Sequence, residues 1–129
     1  MPRAARATKG RGPMPDPAEL SPEDAKLVTL ARGARGRSGA AEGAAVRDET
    51  GRTYSGAAVS LASFEISALQ LAVAQAVSAG SNGLEAAVVT RRDGTLDPSD
   101  LAAVRDLGGP GVVVYLVSFD STVLSTITT

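Results

Sequence analysis

Val112 to Val117 reads VVVYLV, the most hydrophobic run in the chain, and is read as a strand central in a sheet. The next strand-like stretch, Thr122 to Thr128, follows after only four residues, Ser118 to Ser121. Parallel neighbours need a crossover of a dozen or more residues, so these two strands must pair antiparallel. A second apolar strand, Leu84 to Thr90 (LEAAVVT), lies upstream. Between the two sits a helical stretch opened by Asp97-Pro98-Ser99-Asp100, carrying Leu101, Val104 and Leu107 and closed by Gly108-Gly109.

The first half supplies the remaining elements. Ser21-Pro22-Glu23-Asp24 has the form of a helix start, with a capping serine, proline at the first helical position and acids in the first turn. Leu27, Leu30 and Ala31 give that helix an apolar stripe, and Gly33 and Gly36 are read as its end. Gly43 to Val46, the turn Asp48-Glu49-Thr50-Gly51 and the return Thr53-Tyr54-Ser55 form a hairpin. A second helix is predicted from about Phe64 to Ala79, with Ile66, Leu69, Val73 and Val77 on one face and Gly80 as its stop. The order is helix, hairpin, helix, strand, helix, hairpin. It specifies an α/β protein, an α/β/α sandwich on a mixed five-stranded sheet.

Residues 21–129 make one domain, since 129 residues leave no room for a second core. Residues 1–20 hold four prolines and two glycines without apolar periodicity and are read as a disordered tail. Its first part is basic, with Arg3, Arg6, Lys9 and Arg11 and no acid, in a chain whose net charge is −1. Such an arm can neutralise phosphates of RNA, but the body lacks a basic face, which argues against nucleic acid as the main partner. No apolar run follows the basic start as in a signal peptide, and none reaches the roughly 20 residues that span a bilayer. A soluble cytoplasmic protein is expected.

Composition restricts the chemistry further. There is no cysteine and no histidine, which removes disulfides, thiolate nucleophiles, imidazole bases and the usual ligands of zinc. With two tyrosines, two phenylalanines and no tryptophan, the core must be filled by Val, Leu, Ile and Ala.

Glu42 to Gly56 (EGAAVRDETGRTYSG) resembles the first hairpin of the free-nucleoside cytidine deaminases, typically a VGAA strand, an acidic turn and a Tyr-x-Gly return. Val59 to Phe64 (VSLASF) is similar to that family's NVENASY segment. Ala68 to Gly80 resembles the helix bearing its Cys-Ala-Glu motif, and Asp97 to Leu107 stands where its Pro-Cys-x-x-Cys helix does. The resemblance covers residues 21–129 and implies the deaminase fold. In that family a His or Cys and two further Cys hold Zn²⁺, and a nearby Glu shuttles protons. The resemblance puts the first ligand at Ser67, the proton shuttle at Leu69 and the two thiolates within Pro98 to Ala102, a segment without sulfur. The ribose-binding Asn and Glu correspond to Ala58 and Ser60, the base-cradling aromatic to the vicinity of Ala40, and the segment before Ser67 is two residues shorter. Metal, shuttle and ribose contacts are therefore replaced together, and neither metal nor cofactor is expected.

Other candidates have plainer readings beside the chemical one. Ser67 lacks an activating base, the nearest lysine in sequence being Lys26, and a helix cap accounts for it. Asp97 and Asp100 have capping-box spacing, against a carboxylate pair for a cation. Arg91-Arg92-Asp93-Gly94 is a solvated turn or a phosphate clasp. Gly108 to Gly111 leads into a strand without the Lys-Ser/Thr of a phosphate loop and is excluded.

Three functions remain: a non-catalytic pseudoenzyme of deaminase fold working through self-association or a partner or ligand; a divergent deaminase-related enzyme acting on nucleosides; and an RNA-associated accessory protein using the basic arm. The resemblance implies a homo-oligomer, dimer or tetramer, and the alanines at 68, 72 and 76 are read as a close-packing surface for it.

Overall fold

A computed structural model describes residues 20–129; the basic tail read at 1–20 lies, up to Glu19, outside the described residues. Helix α1 (Pro22–Ser38) leads into the hairpin of β1 (Gly43–Asp48) and β2 (Thr53–Ala57). A small ribbon of β3 (Val59–Leu61) and β4 (Phe64–Ile66) precedes α2 (Ala68–Ser78), and β5 (Leu84–Thr90), α3 (Pro98–Gly108), β6 (Val113–Val117) and β7 (Val123–Thr128) complete the order. The main sheet runs β2-β1-β5-β6-β7. Only β5 and β6, joined through α3, are parallel, and β6 and β7 pair antiparallel as their short connection requires.

Each face of the sheet is covered, which makes the three-layer sandwich expected from the sequence. On one face Leu27, Val28 and Ala31 of α1 pack on Ala45, Ala86, Val88, Tyr115 and Val117. On the other, Ala68, Leu69, Ala72, Val73 and Ala76 of α2 and Val104 of α3 pack on Val46, Ala87, Val89, Val114 and Leu116. Alternation of side chains along β1, β5 and β6 divides the two sets. Close approach replaces bulk where side chains are small: a Cβ at Gly43 would collide with the Ala31 carbonyl, so glycine lets α1 lie against β1.

Four expectations are corrected. Gly33 and Gly36 lie inside α1, which ends at Gly39 in the left-handed conformation (φ 70°), its N–H donating to the Arg35 carbonyl at 2.8 Å. Packing of Leu27, Val28 and Ala31 on the sheet outweighs the roughly 1 kcal/mol that each interior glycine costs a helix. The second helix starts at Ala68, because Phe64 to Ile66 pair with Val59 to Leu61. Its buried stripe is Ala68, Leu69, Ala72, Val73 and Ala76, whereas Val77 is 54% exposed. The alanines at 68, 72 and 76 are thus consumed by the chain's own sheet, and the close-packing surface assigned to them does not exist.

One buried polar network ties the α1 face together. Tyr115 Oη donates to Asp24 Oδ2 at 2.8 Å, and Arg47 bridges Asp24 (3.0 Å) and Glu85 (2.8 Å). Burial, with the Asp24 carboxylate beside it, pushes the Tyr115 phenol well above its ordinary value, so it stays a donor across the physiological range.

Candidate functional site

The start of β1, the end of β5 and the N-termini of α2 and α3 meet at one end of the sheet. Ser67 occupies the N-cap of α2 in extended conformation. Its Oγ accepts from Gln70 N at 3.1 Å, and the Gln70 side chain accepts from Ser67 N at 3.4 Å, a reciprocal capping box. The cap explains the serine locally, as the sequence suggests. Its hydroxyl also does something local chemistry does not require: it donates to Asp100 Oδ1, 33 residues away, at 2.6 Å.

Asp100 is therefore not half of a capping box with Asp97. Asp97 holds the N-cap position of α3 but makes no side-chain cap bond, and only its carbonyl accepts from Asp100 N. The competing partner, Ser67, comes from another element and could not be read from spacing. Asp100 is 1% exposed, and its Oδ2 is buried without a hydrogen-bond partner. Burial raises its pKa above the ordinary carboxylate value, the Ser67 hydroxyl opposes the rise, and nearby Glu42 and Asp97 add to it.

Glu42 completes the cluster. Its Oε2 accepts from the Ala68 N–H at 3.0 Å, so a carboxylate sits on the positive end of α2. Its Oε1 is 3.2 Å from Arg91, which also donates to the Thr95 carbonyl at 2.6 Å. Arg91, offered by the sequence as part of a phosphate clasp, is spent within the chain, and Arg92, Asp93 and Gly94 are exposed.

Beside this cluster a cavity of about 380 Å³ is lined by Ala58, Val59, Ser60, Glu65, Ile66, Ser67 and Gln70. The structure thus brings together Ala58, Ser60 and Ser67, three of the positions that the resemblance marks. Ser60 Oγ donates to Glu65 Oε2 at 3.3 Å. Leu69, where the resemblance puts the proton shuttle, does not line the cavity: it is 0% exposed, inside the α2–sheet core. Sequence reasoning missed Glu65 and Glu42 because the first lies on the unforeseen ribbon and the second gains its role only through tertiary contacts.

The donors at this end do not suit a zinc ion. They are an alcohol, Ser67, and a buried carboxyl, Asp100, closed on each other, with the Glu42 carboxylate held by the Ala68 N–H and Arg91; Ser99 and Ala102 of the Pro98 to Ala102 segment are exposed. Among the described residues no three His, Cys, Asp or Glu side chains gather as a metal site.

Comparison with known proteins agrees with this architecture. The family described as Cytidine deaminase-like matches residues 20–121. The chain belongs to the cytidine deaminase-like family. It is similar to the cytidine deaminase of Burkholderia pseudomallei, with 21% identity, a TM-score of 0.73 and coverage of 84% of this chain and 93% of that one. The cytidine deaminase of Mycobacterium leprae aligns at 17% identity and a TM-score of 0.64, covering 84% and 94%. That of Mycobacterium tuberculosis aligns at 21% identity and a TM-score of 0.55, covering 67% and 82%. At these identities the likeness is one of fold. No curated protein matches the sequence.

The Ser67–Asp100 contact carries a testable consequence. A carboxyl whose native pKa is raised stabilises the fold below the ordinary aspartate value of about 4, and this contribution fades as pH rises through the native value. Asp100→Asn keeps an acceptor for Ser67 and removes the charge. Urea unfolding at pH 7 is expected to find it as stable as the native protein, within about 1 kcal/mol, or more stable. As pH rises above about 4 the native protein should lose stability through this group while the variant does not. A loss above about 2 kcal/mol at pH 7 in Asp100→Asn would show that the ionised carboxylate is required.

Proposed function

We propose that this protein is a non-catalytic member of the deaminase fold, a cytoplasmic pseudoenzyme that works by binding a ligand or partner or by self-association. One observation carries the reading: Ser67 and Asp100, at segments where the resemblance puts metal ligands, are closed on each other, and Leu69 is sealed in the core where it puts the proton shuttle. A metal-activated water needs an ion with an open coordination position and a base beside it. An alcohol hydrogen-bonded to a buried carboxyl supplies neither.

What remains at the site is a recess with hydrogen-bonding groups, Ser60, Glu65 and Gln70, which supports ligand binding without turnover. The same recess is what a divergent nucleoside-directed enzyme would have to use, and this is the second reading. Self-association follows from the resemblance; the apolar side chains exposed for it are Leu61, Phe64, Val77 and Leu124. The RNA-associated reading rests on Arg3, Arg6, Lys9 and Arg11, outside the described residues. Among the described residues no helix is long and apolar enough to cross a membrane.

Metal content tests the reading. Protein purified without chelator and analysed by atomic emission is expected to carry well under 0.1 equivalents of zinc, on the order of background. A value near one zinc per chain would overturn the proposal.

A further inference from the structure

On the opposite face of the sheet, α1 and the turn after β6 enclose a second recess, of about 340 Å³, lined by Arg32, Gly33, Arg35, Gly36, Thr90 and Phe119. Thr90 ends β5 and Phe119 follows β6, so the recess lies at the carboxyl ends of the two parallel strands. That is where open α/β sheets most often receive ligands. From these features we infer that the recess binds a phosphate group, as a free ion or as the phosphomonoester of a small molecule, between Arg32 and Arg35.

Among the described residues the ion pairs engage only Arg47 and Arg91, so neither Arg32 nor Arg35 has a carboxylate partner. Arg32 donates to the uncharged Ser121 hydroxyl at 2.8 Å. The Arg35 guanidinium stacks 3.6 Å from the centre of the Phe119 ring, which holds it in place without neutralising it. Its Nε is buried with no hydrogen-bond partner, an outstanding cost for a charged donor. The one acid in the adjoining turn, Asp120, is occupied: it accepts from the Ser118 hydroxyl and from Thr122 N at 3.0 Å.

Two guanidinium groups beside one recess suit a tetrahedral oxyanion, because each planar fork offers paired N–H donors to phosphate oxygens. Gly33 and Gly36 line the α1 wall of the recess; the wall is open at Gly36, and the Arg37 guanidinium comes within 3.3 Å of where a Cβ on Gly33 would stand. The basic last turn of α1 has a simpler role as well, opposing the negative helix end. That role accounts for Arg35 and Arg37, but it does not account for a recess at this point or for Arg32 reaching across it to Ser121.

The test is calorimetric titration of the full chain with inorganic phosphate and with ribose 5-phosphate, at constant ionic strength. The variants are Arg32→Gln and Arg35→Met, the second keeping an apolar stem over Phe119. Saturable binding near one site per chain is expected, weakened at least tenfold in each variant while circular dichroism and melting stay native for Arg32→Gln. Equal affinity for the two probes would assign the site to the free ion, and a tenfold preference for the sugar phosphate would assign it to a phosphomonoester. No saturable heat with either probe, or binding that Arg32→Gln leaves unchanged, would overturn the inference.

Discussion

Leu69→Glu is expected to unfold the protein or come close to it. Leu69 is 0% exposed and belongs to the cluster that joins α2 to the sheet. A carboxylate there has no cation and no donor to meet it, since the neighbouring core residues are Ala, Val and Leu. Burying an unpaired charge at such a position costs about 4–5 kcal/mol, a large part of the 5–15 kcal/mol that holds a domain of this size together. Leu69→Ala removes volume without adding charge and should cost about 3 kcal/mol. The burial is complete within one chain, so the loss should be independent of protein concentration in urea or thermal unfolding. If Leu69→Glu is folded and as stable as the native protein, α2 does not pack as described. If it stays folded but changes mass in light scattering, the leucine serves an interface between copies instead of the core.

Asp48→Ala should produce the second large effect. Asp48 ends β1 with its carboxylate buried, and it organises the turn that follows. Oδ1 accepts from Thr50 N at 2.9 Å, Thr50 Oγ1 at 2.8 Å and Arg52 N at 3.0 Å, while Oδ2 accepts from Ser81 Oγ at 2.6 Å. One side chain thereby fixes the β1–β2 turn and ties it to the loop between α2 and β5. Alanine leaves two backbone N–H groups and two hydroxyls without their acceptor, at a cost of about 3 kcal/mol. Burial opposes ionisation, yet these four donors win and hold the carboxyl down at about 2. A depressed native value stabilises the fold above the ordinary aspartate value of about 4, and that contribution is lost as pH falls towards 2. Acid unfolding of Asp48→Asn should therefore be shallower between pH 4 and 2 than that of the native protein. An unchanged acid limb would mean that the carboxylate titrates normally.

Asp48 also shows what could be read from the chain alone. An acidic residue opening Asp-Glu-Thr-Gly is a turn signal in any context, and Gly51 does take positive φ (91°), so the hairpin was legible from local chemistry. The apolar runs at Leu84 to Thr90 and Val112 to Val117 likewise became β5 and β6, since few structures other than buried strands accept so many branched side chains in a row. The ribbon at Val59 to Ile66 was not legible. Ile66 stands in helical phase with Leu69 and Val73, and only its pairing with Val59 shows that it belongs to a strand. The site divides in the same way. The cap at Ser67 is a property of its own helix start. Its bond to Asp100, and the hold of Glu42 on Ala68 N, join segments that are 33 and 26 residues apart and meet only through the packing of the sheet. Val77 fell outside the core for a related reason: it lies one residue before the end of α2, and the small alanines at 72 and 76 turn inward instead.

The central claim, a deaminase fold without deaminase chemistry, is tested most directly by ammonia release from cytidine and deoxycytidine with Zn²⁺ supplied in excess. Enzymes accelerate reactions by about 10⁶-fold or more, so even a small residue of catalysis is measurable. Release indistinguishable from a heat-killed control is expected, with or without added metal. Zinc-dependent turnover above that control, abolished by Ser67→Ala and by Asp100→Asn, would contradict the account and restore this end of the sheet as an active site.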